Sequence, residues 1–272
     1  MKALNGKIVV ITGGAAGIGR EMALAFAQEK SRLALLDIDP DQLEATVSEL
    51  TRQGAAANGY RCDVSDPESV SQVAAKVLED FGHVDVLVNN AGIVIGKPAA
   101  EVSYEELRRI VDINALGVMW MTRQFIGDMM TRNSGHIVNI ASASGLLGVP
   151  RQTDYCATKF AVVGYSDALR MEMKKYGCRG VKVSCICPSV IDTGMFAGFT
   201  PPMLNPLLKP AAVARKIVLT VKRERDYLKI PFMVKMIPFF KVLPPSWVDW
   251  MVALTGTNKA MDHFVGRKTG DG

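Results

Sequence analysis

The sequence predicts a single α/β domain built as a doubly wound parallel sheet, and three observations carry that prediction. Short aliphatic runs alternate with longer stretches of helical spacing along most of the chain. Most of the runs are continuous rather than alternating, which suits strands buried on both faces by crossover helices. The first run ends in a glycine-rich turn that leads straight into a helix. Composition agrees, since 272 residues with 49% hydrophobic and 22% charged side chains fit one globular domain with a full core.

Taken in order, the strands are expected over residues 7–12, 32–37, 55–62, 84–89, 135–142, 181–187 and, more weakly, 227–231. Helices are expected over 17–29, 39–53 and 66–81, among others. The last of these opens on Asp66-Pro67-Glu68, with Asp as cap and Pro at the first helical position. Right-handed crossovers put helices on both faces, and ligands of such sheets bind beyond the carboxyl ends of the strands.

Several function classes drop out. A formal charge of +5 is too small a bias to argue for nucleic acid. The first residues carry no signal-peptide h-region and no apolar run approaches the roughly 18 residues of a spanning helix, so a cytoplasmic setting is expected. Five cysteines form an odd set without metal-ligand spacing, and Cys185 and Cys187 should point to one face of a strand. His83, His136 and His263 have no metal-type partners in sequence, and surface or strand-end roles are expected for them. No metal is expected.

The chemistry concentrates in three motifs. In Thr12-Gly13-Gly14-Ala15-Ala16-Gly17-Ile18-Gly19 a glycine-rich turn lets the backbone approach a pyrophosphate at the helix N-terminus. Asp37 closes the next strand, where a carboxylate accepts both hydroxyls of an adenosine ribose and repels a 2′-phosphate; a helix cap is the alternative role, one that Asp39 fills equally well. Ala16, where a phosphate-binding cation would stand, agrees with NAD, while Arg20 speaks for the phosphate. Tyr155 and Lys159 are four apart, on one face of a helix, so phenol and ammonium address one ligand. A nearby cation favours the phenolate, bringing a pKa of about 10 towards the working pH. Ser142, at a strand end, adds a hydroxyl for a carbonyl oxygen or alkoxide.

With T-G-x-x-x-G-I-G, Asn89-Asn90-Ala91-Gly92, the strand-end Ser and Y-x-x-x-K in this order, the chain resembles the short-chain dehydrogenase/reductase family over residues 7–193. The resemblance implies a Rossmann fold and a tetrad of Asn114, Ser142, Tyr155 and Lys159. Tyr155 would be the general acid/base and Ser142 would orient the substrate oxygen. Lys159 would bind the nicotinamide ribose and lower the Tyr155 pKa, with Asn114 holding a water in a proton relay. It implies cofactor contacts from Gly13, Ala16, Gly17, Ile18, Gly19, Asp37, Asp63, Val64, Asn90, Ala91, Gly92, Tyr155 and Lys159, and from Pro188 and Thr193 at the nicotinamide. Asn89 joins Ala91 and Gly92 in the cofactor floor, and a homodimer or homotetramer is implied through the Asn114 and Tyr155 helices. One departure is Pro188-Ser189, where the family has Pro-Gly, so the backbone there is expected to differ slightly.

Beyond Thr193 the substrate pocket is expected. Residues 193–210 hold Met195, Phe196, Phe199, Met203, Leu204, Leu207 and Leu208, either a lid over a lipophilic substrate or an ordinary packed loop. Residues 209–241 carry nine basic residues against Glu224 and Asp226, interleaved with and followed by Phe232, Phe239, Phe240, Trp247 and Trp250. This extension, residues 232–272 after a main unit of 1–231, reads as an amphipathic helical segment. It suits a peripheral membrane interface, and equally a helix pair packed on its own domain or a partner subunit. Running on through Asn258 to Arg267, it is similar to the branch of retinol and 17β-hydroxysteroid dehydrogenases. The expected activity is NAD-dependent hydride transfer with a hydroxysteroid, retinoid or long-chain secondary alcohol. A 3-oxoacyl-type reductase and a non-catalytic lipid-surface or scaffold protein are the alternatives.

Overall fold

The computed structural model describes residues 3–203 and 205–266. In chain order the elements are β1 (Ile8–Thr12), α1 (Gly17–Gln28), β2 (Arg32–Asp37), α2 (Pro40–Arg52), β3 (Ala57–Arg61), α3 (Pro67–Phe81), β4 (Val86–Asn89), α4 (Tyr104–Val111), α5 (Gly117–Thr131), β5 (Gly135–Ile140), α6 (Thr153–Lys175), β6 (Val181–Pro188), α7 (Pro210–Lys222), β7 (Tyr227–Ile230), α8 (Phe232–Phe240) and α9 (Pro245–Leu254). The strands form one sheet in the order β3-β2-β1-β4-β5-β6-β7, all neighbours parallel. Strand order reverses between β1 and β4, the place where such sheets open a crevice at their carboxyl ends.

Strand periodicity sorts the core into two layers. Val9, Ile11, Leu33 and Leu35 pack with Met22 and Phe26 of α1, Leu43 and Leu50 of α2, and Ile217 and Val221 of α7. Val10, Leu36, Leu87 and Ile137 face the other way, onto Val70 and Val77 of α3, Met121 and Phe125 of α5, and Met173 of α6. Helices thus cover both faces, and β1, β4 and β5 are buried along their full length. The edge strand β3 departs from the buried run expected of it: Asn58, Gly59 and Arg61 are exposed, because an edge has a neighbour on one side only. At the start of α3 the Asp66 carboxylate accepts from the N–H groups of Glu68 and Ser69 at 3.0 and 3.3 Å, as a cap should.

His136 differs from its expected strand-end or surface role. It is the second residue of β5, flanked by β4 and β6, and wholly buried, with Nε2 2.7 Å from Ser184 Oγ. Burial pushes its pKa from 6.5 down to about 3, so the folded protein holds it neutral. The unfolded chain therefore takes up a proton first as pH falls, and stability drops from pH 6.5 towards 3. Urea unfolding should lose about 2 kcal/mol between pH 6.5 and pH 5 from this group. His136→Asn should remove that share of the slope, and an unchanged slope would exclude the assignment.

Candidate active site

The site begins where β1 ends. Thr12 Oγ1 accepts from the N–H groups of Asn90 and Ala91 at 2.9 and 3.1 Å. The Asn90 amide nitrogen donates back to the carbonyls of Thr12 and Gly13 at 2.9 and 3.0 Å. A Cβ at position 19 would lie 1.8 Å from the Gly13 carbonyl oxygen, so the spacing of the glycine motif is a demand for contact between the turn and α1. Gly13, Ala16, Gly17 and Ile18 line the cavity, whereas Gly19 lies behind it. Asp37, at the end of β2, accepts from Ala15 N–H at 2.9 Å and from Asp39 N–H at 3.2 Å. The cap of α2 is Asp39, which leaves the Asp37 carboxylate at the cavity wall. Arg20 is turned away, its Nη2 2.6 Å from Glu49.

Ser142 follows β5, and Tyr155 and Lys159 lie in the first two turns of α6; all three are buried and line the cavity. Lys159 Nζ donates to the Ile140 carbonyl at 3.0 Å and sits 5.5 Å from the centroid of the Tyr155 ring. Burial alone holds this ammonium down to about 8. The phenol goes the other way: burial raises Tyr155 above its ordinary value, against a hydrogen bond with Ser142 that lowers it. Loss of solvent, and not the lowering expected from a neighbouring cation, thus sets the direction in the protein alone. Ser144 N–H fixes the Ser142 hydroxyl oxygen at 3.1 Å.

Asn114 stands in a π-helical turn, Asp112–Leu116, between α4 and α5. Such turns insert one extra residue and swing a side chain out of helical register. Its amide is fully buried, pairs with the Ile93 N–H and carbonyl at 2.8 and 2.9 Å, and reaches Thr158 Oγ1 at 3.3 Å. It lies behind the cavity wall, yet close to it: a Cβ on Gly92 would be 3.1 Å from Asn114 Oδ1 and 3.5 Å from Lys159 Nζ. Asp63, Val64, Asn90, Ala91, Gly92, Pro188 and Thr193 also line the cavity. Asn89 does not; its amide turns inward to Thr122 and Asn139 at 3.1 and 2.8 Å. Ser189 stays out of the left-handed region, so its Cβ meets no strain of that kind, and its N–H pairs with the Ile230 carbonyl at 2.8 Å.

The cavity encloses about 1220 Å³. That exceeds the roughly 300–1,000 Å³ of a drug-sized site and leaves room for a dinucleotide and a second molecule. Beyond Tyr155 its walls are largely apolar, with Leu147, Val149, Met195, Phe196 and Phe199, then Met233, Ile237 and Phe240 of α8 and Val248 and Met251 of α9. The Phe196 ring meets Tyr155 edge-on at 6.0 Å and Phe264 at 6.3 Å. Loop 193–203 is strapped to the C-terminal stretch, with Thr200 N–H on the Ala260 carbonyl and Val265 N–H on that of Ala197, both at 2.9 Å. The extension is therefore part of the pocket, which helical periodicity alone gave no means to see. Leu204 and Arg267 fall outside the described residues. Sequence reasoning also passed over Gln152 and Ser144, which line the chamber and carry no motif. Cys156 is buried and its thiol is pushed up, which removes any case for a reactive cysteine.

The wall fits a dinucleotide on its own evidence. Glycines open the turn, and the buried Asn90 Oδ1 points to no protein donor. No group of acidic, His or Cys side chains among the described residues is arranged for a metal.

Comparison with known proteins agrees with this geometry. The family model of the short chain dehydrogenases matches residues 7–203. Epidermal retinol dehydrogenase 2 of Homo sapiens is 37% identical over 271 residues, 98% of this chain and 88% of that protein. Estradiol 17-beta-dehydrogenase 11 of Rattus norvegicus is 34% identical over 268 residues, 98% and 89% of the two chains. Among solved structures, a short chain dehydrogenase/reductase from Burkholderia phymatum in complex with NAD superposes with a TM-score of 0.80 at 31% identity, covering 88% of this chain and 94% of the other. A metagenomic short-chain oxidoreductase in complex with NADP gives 0.71 at 26%, covering 83% and 95%. This chain belongs to the short-chain dehydrogenase/reductase family, in the branch that contains the retinol and 17β-hydroxysteroid dehydrogenases.

Proposed function

We propose that the protein transfers hydride between NAD(H) and a lipophilic alcohol or carbonyl of hydroxysteroid, retinoid or long-chain type. The observation that carries this is the Ser142, Tyr155 and Lys159 cluster opening onto a chamber lined largely by apolar side chains. The preference for NAD rests on Asp37, which forms no ion pair among the described residues, on Ala16, and on the engagement of Arg20 by Glu49. Gly13, Ala16, Gly17, Ile18, Asp37, Asp63, Val64 and Asn90 would hold the adenosine and pyrophosphate, and Ala91, Gly92, Lys159, Pro188 and Thr193 the nicotinamide end. When bound, the nicotinamide accepts a hydride from the carbinol carbon or returns it. In oxidation the substrate hydroxyl gives its proton to the Tyr155 phenolate while Ser142 holds the oxygen. Lys159, tied to Ile140, stabilises that phenolate by charge. Asn114, its side chain engaged by the Ile93 N–H and carbonyl, would hold a water that carries the proton onward.

Two surfaces extend the reading. Tyr104, Leu107 and Val111 form an exposed apolar stripe on α4, which packs against α6, and this supports a homodimer through these helices. On α8 and α9, Phe232, Phe239, Trp247, Trp250 and Leu254 are exposed beside Lys235 and Lys241, a composition that supports peripheral contact with anionic lipid. No helix among the described residues is long and apolar enough to cross a membrane.

Tyr155→Phe should cut turnover by about 100-fold or more while NADH binding, followed by fluorescence, stays nearly intact; activity above a few per cent would sink the Tyr155 assignment. Lys159→Met should weaken both binding and turnover. Without cofactor it should also unfold later than the parent at neutral pH, by on the order of 1–3 kcal/mol. That advantage should fade as pH rises from 8 towards 10.5, because the folded parent has already released its proton there while the unfolded chain still holds one. Asp37→Ser should narrow the NADH over NADPH preference in kcat/KM about tenfold; a parent that uses NADPH at least as well as NADH would exclude the NAD reading. Flotation with phosphatidylserine vesicles should fall for Phe239→Glu with Trp247→Glu, and equal partitioning would count against the lipid interface.

A further inference from the structure

Gln152 is the residue before α6 and occupies its cap position, yet its side chain makes no cap hydrogen bond. It turns instead into the substrate chamber, where it is 2% exposed and lies three residues from Tyr155. Ser144 Oγ donates to its Oε1 at 2.9 Å, and Ser144 N–H in turn holds Ser142 Oγ at 3.1 Å. The preceding residue, Arg151, takes a left-handed φ of 62°, so the turn that delivers Gln152 is bent against the ordinary preference of a side-chain-bearing residue. The amide nitrogen has no hydrogen-bond partner among the described residues and is not sealed inside protein. Leu147, Val149 and Phe196, which line the same chamber, are apolar.

A polar atom facing a largely apolar chamber sets a condition on what fills it. A purely hydrocarbon substrate would strip water from the amide and return nothing, whereas an oxygen in reach would pair with it. Sites built in this way reject analogues that lack the partner oxygen far better than apolar pockets reject an extra methylene. The clamp to Ser144 ties the amide to the segment that carries Ser142, so an oxygen that meets it belongs to the same end of the substrate as the reacting carbon.

Building on the oxidoreductase reading, we propose that Gln152, held by Ser144, is a specificity-determining residue. It selects lipophilic substrates with a second oxygen function close to the reacting carbinol, a vicinal diol or hydroxyketone, over plain secondary alcohols. The amide donates to that second oxygen, while Ser142 and Tyr155 take the first.

The test pairs dodecan-2-ol with dodecane-2,3-diol. Binding is read by calorimetry on NAD-loaded Tyr155→Phe protein, in which chemistry is off, and turnover is read on the parent. The diol should bind and turn over at least about tenfold better. Gln152→Leu should bring the ratio to within about threefold, and Ser144→Ala, which keeps the amide but frees it, should give an intermediate ratio. Equal affinity for the two alcohols, or a ratio that Gln152→Leu and Ser144→Ala both leave unchanged in proteins melting like the parent, overturns the proposal. A binding ratio that Gln152→Leu abolishes, without turnover of either alcohol, upholds the role of Gln152 and refutes the hydride-transfer reading instead.

Discussion

At the carboxyl ends of β1 and β4 the chain leaves the sheet in opposite directions, and four hydrogen bonds between Thr12, Gly13, Asn90 and Ala91 hold the two departing turns together. Everything that faces the cavity is measured from this clasp. It sets the crest of the glycine turn against the Asn90 to Gly92 stretch, and Gly92 in turn stands against Asn114 and Lys159. All the groups involved are polar and short, so the clasp costs little volume and satisfies backbone donors that would otherwise be stranded at the top of a buried sheet.

The electrostatics of the centre follow from its dryness. Burial raises Tyr155 and lowers Lys159, which favours the neutral form of each more than water does. A phenolate at Tyr155 therefore depends on whatever positive charge stands next to it. Ser142 and the Ile140 carbonyl fix the geometry in which this happens, through contacts supplied by the end of β5.

Much of this was legible because it is local. The aliphatic runs at 7–12 and 135–142, the Asp66 cap and the glycine spacing each obey rules that act within a few residues, and the strands and helices lie within a residue or three of where those rules put them. Asp37 was readable as a strand end, and its freedom from capping needed only Asp39 two residues on. Illegible were the features made by distant chain returning. His136 looked peripheral because nothing nearby says that β4 and β6 will flank it. Asn89 looked like its neighbours in the motif, but strand alternation sends it inward to Thr122 and Asn139. The extension showed amphipathicity without a partner, since the loop it straps is some sixty residues earlier in the chain.

That strap has a cost in freedom. A Cβ on Gly198 would sit 1.9 Å from the His263 carbonyl oxygen, and one on Gly96 2.1 Å from the Phe264 ring. Backbone meets backbone at one point and ring meets backbone at the other, with no side chain between to absorb a change. The pocket's walls are consequently not modular. A chimaera that borrows the 193–203 loop from a relative without its matching tail, or the tail without the loop, would inherit a collision rather than a new specificity. Redesign of this chamber has to treat the two segments, far apart in the gene, as a single part.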